Sequence, residues 1–183
     1  MTVDSAGEGR PIERPSQGAD HSKRSAEFAA FYRDFTPRLV AFLLHLGANP
    51  ADAAEVCQEA MTRAWKHWAD IEHPEAWTRT VASRAWTRRL ATIDEDPVAE
   101  VSEFASPLLG ATPSELAEWV QRQETIQLLS GLPPRQRQVM AWTLEGFTPT
   151  EVAAQLQTTP EAVRSSLAKA RRTIARRLNE ASG

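Results

Sequence analysis

Cysteine is almost absent. Cys57 is the only one, so no internal disulfide can form and no zinc site of the usual multi-cysteine kind can be built. A buried thiol is its simplest role. β-Branched aliphatics are also scarce, with 15 Ile plus Val against 29 Ala, and glycine is limited to 8 residues. That bias favours helices and disfavours strands, which predicts an all-α fold. Long apolar runs are missing too. The longest uncharged one, Leu39 to Ala48, contains His45 and is about half of the roughly 20 residues needed to cross a bilayer, so no membrane insertion is expected. The first ten residues, MTVDSAGEGR, hold no apolar run, so no secretory signal is expected and the cytoplasm is the expected compartment. With 183 residues the chain has room for one ordinary domain or two small ones, which excludes a large multidomain enzyme.

The net charge of −3 conceals a strong polarity. Residues 1–26 hold four acids and four bases, and residues 27–90 hold eight of each. Residues 91–130 hold eight acids against Arg122 alone, whereas residues 131–183 hold four acids and eight bases. A basic C-terminal segment behind an acidic middle points to a polyanion as partner for that end.

Periodicity divides the chain further. Residues 1–26, rich in Gly, Ser, Pro and compensating charge, read as a disordered tail. From Glu27, Phe28, Phe31, Phe35, Leu39, Phe42, Leu43 and Leu46 recur at helical spacing, and Thr36-Pro37 is expected to bend or restart that helix. Gly47 ends it, and Asn49-Pro50 with Asp52 starts a second helix running to about Ala69. His73-Pro74 opens a third, to about Leu90, so residues 27–90 form a first domain. Residues 91–111, with five acids, Pro97 and Pro107, read as an acidic linker. A second domain, 112–183, starts with the capping box Thr112-Pro-Ser-Glu115 and an amphipathic helix through Leu116, Trp119, Val120 and Ile126. Pro134 starts another helix through Leu144, and Gly146 stops it. Thr148-Pro-Thr-Glu151 is a second capping box.

The last two helices, 149–156 and 160 to about 177, are separated by Gln157, Thr158 and Thr159. A short helix, a tight turn and a longer basic helix form a helix-turn-helix, which places its second helix in a DNA major groove. Val163, Leu167, Ala170, Ile174 and Leu178 form the inward stripe; Arg164, Ser165, Ala168, Lys169, Arg172 and Arg176 face outward. Arg164, early in the helix, is the candidate for bidentate readout of guanine, with Ser165 beside it. Lys169, Arg171 and Arg172 suit phosphates, and Thr159 and Ser166 complete the candidate set. The same basic residues also suit a solvated helix end favoured by the macrodipole. The turn has Gln157 where such corners often use glycine.

The strings Leu132-Pro-Pro-Arg-Gln-Arg-Gln-Val-Met140, Glu145-Gly-Phe-Thr-Pro-Thr-Glu-Val-Ala-Ala-Gln-Leu156 and Pro160-Glu-Ala-Val-Arg-Ser-Ser-Leu-Ala-Lys-Ala-Arg-Arg172 resemble the C-terminal domain of bacterial sigma-70-type factors of the extracytoplasmic-function group. Ala54-Glu-Val-Cys-Gln-Glu-Ala-Met-Thr-Arg-Ala-Trp65 resembles that family's polymerase-binding helix, and His73-Pro-Glu-Ala-Trp77 through Arg89 its minus-10 helix. The resemblance implies a transcription initiation factor that reads minus-35 and minus-10 promoter elements and performs no chemistry. It implies no cofactor. The implied partners are promoter DNA and core RNA polymerase, through its beta-prime clamp helices and beta flap. Many members are held inactive by an anti-sigma factor, which makes one a candidate partner here.

In the second helix Val56, Cys57, Ala60, Met61, Ala64 and Trp68 share one side, leaving Glu55, Gln58, Glu59 and Thr62 as the implied polymerase-binding face. The implied minus-10 residues are Trp77, Arg79, Arg84, Arg88 and Arg89. The chain departs from the family by Glu55 for the usual Asp and Met61 for Phe. Thr78, Arg79, Arg84 and Arg88 replace the usual apolar pair, Asn and Asp. Trp65, Trp68, Trp77 and Trp86 suit base stacking or, more simply, a small domain's core. The acidic linker suits either a mimic of nucleic acid in the polymerase channel or a solubilising spacer. Two other classes compete: a stand-alone helix-turn-helix regulator, and a metal-dependent enzyme using His45, His67 and His73. The histidines lie on three different elements with no i, i+4 pair, which disfavours the enzyme.

Overall fold

The computed structural model describes residues 17–93 and 123–181, all of them helices and their connections. The acidic linker from residue 94, the Thr112 capping box, Trp119 and Val120 lie outside the described residues. Helix α1, Gln17–His45, begins well before the apolar period does. Residues 17–26, assigned to the tail on composition, are therefore helical. One anchor is local, Lys23 pairing with Glu27 at 3.9 Å, and one is tertiary, His21 meeting Trp65 of the second helix edge-on at 6.3 Å. Pro37 lies inside α1 without ending it. The side chain is exposed, so the Arg33 carbonyl that it leaves without a helical donor can turn to water, while buried Phe35 and Leu39 on either side hold the helix to the core.

Gly47 closes α1 with φ +95°; its N–H and that of Ala48 donate to the carbonyls of Leu44 and Leu43 at 2.9 and 3.0 Å. Glycine is favoured there by its conformational freedom. The backbone is left-handed, a region that residues with a Cβ adopt only under strain, and a Cβ would also displace the Arg137 guanidinium. Helix α2, Pro50–Lys66, starts on Asn49, whose Oδ1 accepts from the Asp52 N–H at 2.9 Å. It buries Ala53, Val56, Cys57, Ala60, Met61 and Ala64. Trp68 falls not in α2 but in a 3-10 turn, Trp68–Asp70, where its ring packs on Phe28 and Phe31 at 5.1 and 4.9 Å. Burial pushes the Cys57 thiol up to about 11, which leaves it protonated and inert at neutral pH. Helix α3, Pro74–Ile93, extends through Ala91–Ile93, which the sequence placed in the linker. It is held by Trp86, whose Nε1 donates to the Leu46 carbonyl at 3.2 Å.

In the C-terminal unit, α4 covers 123–130, α5 Pro134–Leu144, α6 Pro149–Gln155 and α7 Pro160–Ala181. Arg137 ties the end of α4 down, donating to the carbonyls of Leu129, Ser130 and Leu132. The capping box of α6 forms as read: Thr148 N–H donates to Glu151 Oε2 at 2.8 Å and Glu151 N–H to Thr148 Oγ1 at 3.4 Å. The two halves are not separate cores. Phe42 of α1 meets Trp142 of α5 edge-on at 5.2 Å, and one apolar cluster runs from Phe35 and Met61 through Trp86 to Val139, Val152 and Leu167.

Between α6 and α7, Gln157 has φ +51°. The turn geometry therefore does need a left-handed residue, and a residue with a Cβ occupies it at a cost of about 1 kcal/mol. Its side chain is exposed. Gln157→Gly is expected to raise stability by about 0.5 to 1 kcal/mol, the steric relief being partly offset by glycine's extra unfolded-state entropy. Urea unfolding midpoints measure it, and a lower midpoint would show that the glutamine side chain holds the turn.

Candidate nucleic-acid interface

Helix α7 carries Arg164, Lys169, Arg171, Arg172, Arg176 and Arg177 against the acids Glu161 and Glu180. Val163, Leu167 and Ala170 are buried, which fixes the rotation of the helix. Leu178, expected on the same stripe, is 48% exposed; among the described residues, Ile174 is the last residue of the helix that packs on the buried cluster. Ser165, Lys169, Arg172 and Arg176 form one exposed row, and Arg164, Ala168, Arg171 and Ala175 the neighbouring one. Ser166 is half-buried at their edge. Thr159 caps the helix, its Oγ1 accepting from the Ala162 N–H at 3.2 Å. Arg164 holds Glu161 at 3.1 Å; both side chains are exposed and water screens the pair, so the guanidinium can exchange it for another acceptor. Arg177 points the other way and donates to the Gly131 carbonyl at 2.6 Å.

Helix α3 divides its basic residues between surface and interior. Arg84 and Arg88 are exposed. Together with Arg135, Gln138, Gln155 and Gln157 they line a cleft of about 540 Å³ between the two halves, with no carboxylate among the described residues that line it. Trp77 is half-buried, 6.0 Å from the His67 ring. Arg79 departs from its expected place on a DNA-facing surface. It is 3% exposed, with Nη2 2.5 Å from Glu145 and Nη1 3.3 Å from Glu75. Arg89 is also committed: Nη2 lies 2.5 Å from Glu55 and Nε 3.0 Å from Asp52. Its pKa is raised, first by the Glu55 hydrogen bond. A residue expected to touch DNA and one expected to touch polymerase are thus paired with each other.

On α2, Glu55, Gln58, Glu59 and Thr62 are all exposed, as the stripe predicts. Glu59 pairs with Arg63 at 2.7 Å. A shallow groove of Phe28, Tyr32, Met61 and Trp65 adjoins Gln58 and Thr62, and Trp65 keeps 36% of its surface exposed. Trp86 is core, at 4%. Among the described residues no group of three or more His, Cys, Asp or Glu is placed to hold a metal ion, and no helix is long and apolar enough to cross a membrane.

Sequence reasoning did not find the residues that join the halves: Trp142, Glu145, Phe147 and Gln155. Phe147 carried the one usable signal, a large apolar residue in the short Gly146–Thr148 connection, with little around it locally to bury against.

The family model of sigma-70 region 2 matches residues 31–94, and that of sigma-70 region 4 matches residues 122–174. A probable RNA polymerase sigma factor, RfaY, of Xanthomonas campestris pv. campestris is 27% identical over 149 residues, 74% of this chain and 36% of the relative. The chain therefore spans about a third of that protein's length. Two solved structures share the fold. One is the sigma factor RpoE in complex with the anti-sigma factor NepR from Bartonella quintana, 20% identical, TM-score 0.64, covering 84% of this chain and 97% of that one. The other is CnrH in complex with the cytosolic domain of CnrY, 18% identical, TM-score 0.59, covering 87% and 92%. With region 2 on α1–α3 and region 4 on α4–α7, in that order, the chain belongs to the sigma-70 family.

Proposed function

We propose that this chain is a promoter-directing sigma subunit of the extracytoplasmic-function type, acting in the cytoplasm. It binds core RNA polymerase through the polar face of α2 and the C-terminal unit, and reads the minus-35 element with α7 and the minus-10 element with α3. It carries out no chemistry itself. The observation that supports this best is the doubly exposed basic surface of α7, presented by a helix-turn-helix in a chain that also holds region 2. A stand-alone regulator would need the first surface and have no use for the second. Of the α3 residues, Arg84, Arg88 and the accessible part of Trp77 are the minus-10 contacts, while Arg79 and Arg89 are structural. In α7, Arg164 reads a base with Ser165, Ser166 and Thr159 near it, and Lys169, Arg171 and Arg172 clamp phosphates. An anti-sigma factor is a further partner, on the precedent of the two complexes that share the fold.

Runoff transcription from a promoter library, with and without added core polymerase, tests the function. Promoter-selective initiation only with core supports it; selective DNA binding by the chain alone and no initiation would favour the regulator. Within the reconstituted holoenzyme, Arg164→Ala is expected to lose about 1 to 3 kcal/mol on promoters with the preferred minus-35 base and to flatten preference at that one position. Lys169→Ala is expected to weaken all promoters alike and reduce the salt slope by about 1. Uniform weakening by Arg164→Ala would make it another phosphate clamp.

Reversing charge on α2 tests the polymerase surface. Glu59→Lys loses an exposed pair with Arg63 and a weaker Coulombic attraction to Arg89, both surface interactions worth at most about 1 kcal/mol each, so helicity and melting are expected to stay nearly unchanged. Core affinity is expected to fall by more than that, because an unfavourable charge in an interface costs several kcal/mol. Unchanged affinity in a core-binding titration would remove Glu59 from the interface.

A further inference from the structure

We infer that the cleft bounded by α3, α5 and the α6–α7 corner is a binding site for a small polyphosphate anion, a short chain of phosphate groups that is either free or carried on a nucleotide. Three walls meet there. Thr80, Ser83, Arg84, Thr87, Arg88 and Ala91 recur at three- and four-residue spacing and so share one face of α3. Arg135 and Gln138 of α5 line the second wall, and Gln155 and Gln157 the third. The volume of about 540 Å³ falls in the range usual for small-molecule sites, roughly 300 to 1,000 Å³. Neutral hydrogen bonds fix the walls. Arg135 Nη1 donates to Gln138 Oε1 at 3.0 Å, Gln138 Nε2 to Thr87 Oγ1 at 3.4 Å, and Thr80 Oγ1 to Gln155 Oε1 at 2.5 Å.

The charge in these walls is what calls for an anion. Helix α3 treats its four arginines in two ways. Arg79 is paired with Glu75 and Glu145, and Arg89 with Asp52 and Glu55. Arg84 and Arg88 meet no carboxylate among the described residues, and the third guanidinium of the cleft, Arg135, holds only the neutral Gln138. Like charges around one concavity repel each other, and its low-dielectric walls concentrate their field on whatever enters. Two lining residues are themselves buried, Ser83 at 3% and Trp142 at 0% exposure. The Trp142 Nε1–H has no hydrogen-bond partner among the described residues, an indole donor that the fold leaves unused beside the cationic walls. A single carboxylate engages one guanidinium fork, whereas a chain of phosphates offers an acceptor to each of the three. Trp142 is the one aromatic ring among the described lining residues, and its burial leaves no face on which a base could stack. Recognition is therefore by the phosphate chain. Arg84 and Arg88 are the residues assigned above to minus-10 contact, so a bound anion and promoter DNA use the same guanidiniums and exclude each other. That consequence rests on the proposed sigma function; the site itself does not.

The test is isothermal titration of the full chain with sodium tripolyphosphate and, separately, with ATP, in magnesium-free buffer at matched ionic strength. Saturable one-to-one binding is expected for both probes. Arg135→Gln is expected to weaken it by about tenfold, the loss of one charge-assisted hydrogen bond, and the double change Arg84→Gln with Arg88→Gln to weaken it further, with helicity by circular dichroism unchanged. Arg171→Gln, on the exposed face of α7 and outside the cleft, is expected to leave the affinity as it is. In ¹H–¹⁵N spectra the indole resonance of Trp142, assigned through Trp142→Phe, is expected to shift along the same titration curve. Similar affinities for the two probes support the site with any short phosphate chain as its ligand; tighter binding of ATP supports it with a nucleotide as the source. Absence of saturable binding would overturn the proposal, as would equal weakening by Arg171→Gln and Arg135→Gln, which would mean diffuse attraction to the basic rows of α7. Binding that emerges only after Asp94, Glu95 and Asp96 are replaced by Asn, Gln and Asn would make the chain's own acids the occupant and overturn an external ligand. If the titrations behave as expected and promoter-directed transcription fails, it is the sigma function that falls, while the anion site stands.

Discussion

Trp142 is the joint on which the molecule turns. It is fully buried, with its ring against Phe42 of the first half and Phe147 of its own. A helical unit of about 60 residues buries only about 60% of the surface its unfolded chain exposes and is marginal alone. Sharing one large aromatic side chain between two such units gives each a deeper core. Val139 and Val152 become contiguous with Phe35 and Met61, and the helix-turn-helix is set in a defined orientation with respect to α3.

The polar groups beside this joint follow a different logic. A buried guanidinium is tolerated only when paired and hydrogen-bonded, and Arg79 has two carboxylates and two aromatic faces. That set is available only while the halves are together. Charge placement elsewhere separates tasks with little interference. The excess bases of the C-terminal segment are gathered on the two exposed rows of α7, and the acids of α2 face outward from a buried apolar stripe. Opposite signs of surface are thus presented on different helices, suited to different partners.

The exposed faces proposed above as partner surfaces were largely legible in the sequence. Helix rotation is dictated by the apolar stripe, so burying Val56, Ala60 and Met61 necessarily exposes Glu55, Gln58, Glu59 and Thr62. The same reasoning exposes Arg164, Ser165 and Lys169 once Val163 and Leu167 are inside. Caps were legible for a similar reason: Asn49 and Thr148 act within three residues of themselves, and such short-range hydrogen bonds depend on little else.

What the sequence by itself determined, then, is everything set by local spacing: the all-α class, most helix starts, the inward stripes and the recognition helix with its basic rows. Tertiary structure decided the rest. It carried α1 through Pro37, whose ring faces solvent, and extended it back to Gln17. It placed Gln157 in a left-handed turn, left Leu178 half exposed, paired Arg89 with Glu55 and drew Arg79 into the interior. Each of these depends on a neighbour distant in sequence or on where a packed surface ends. A pattern of residues along one helix records which side is apolar, and carries no information on which charged residue of that helix a remote Glu145 and Phe147 will enclose.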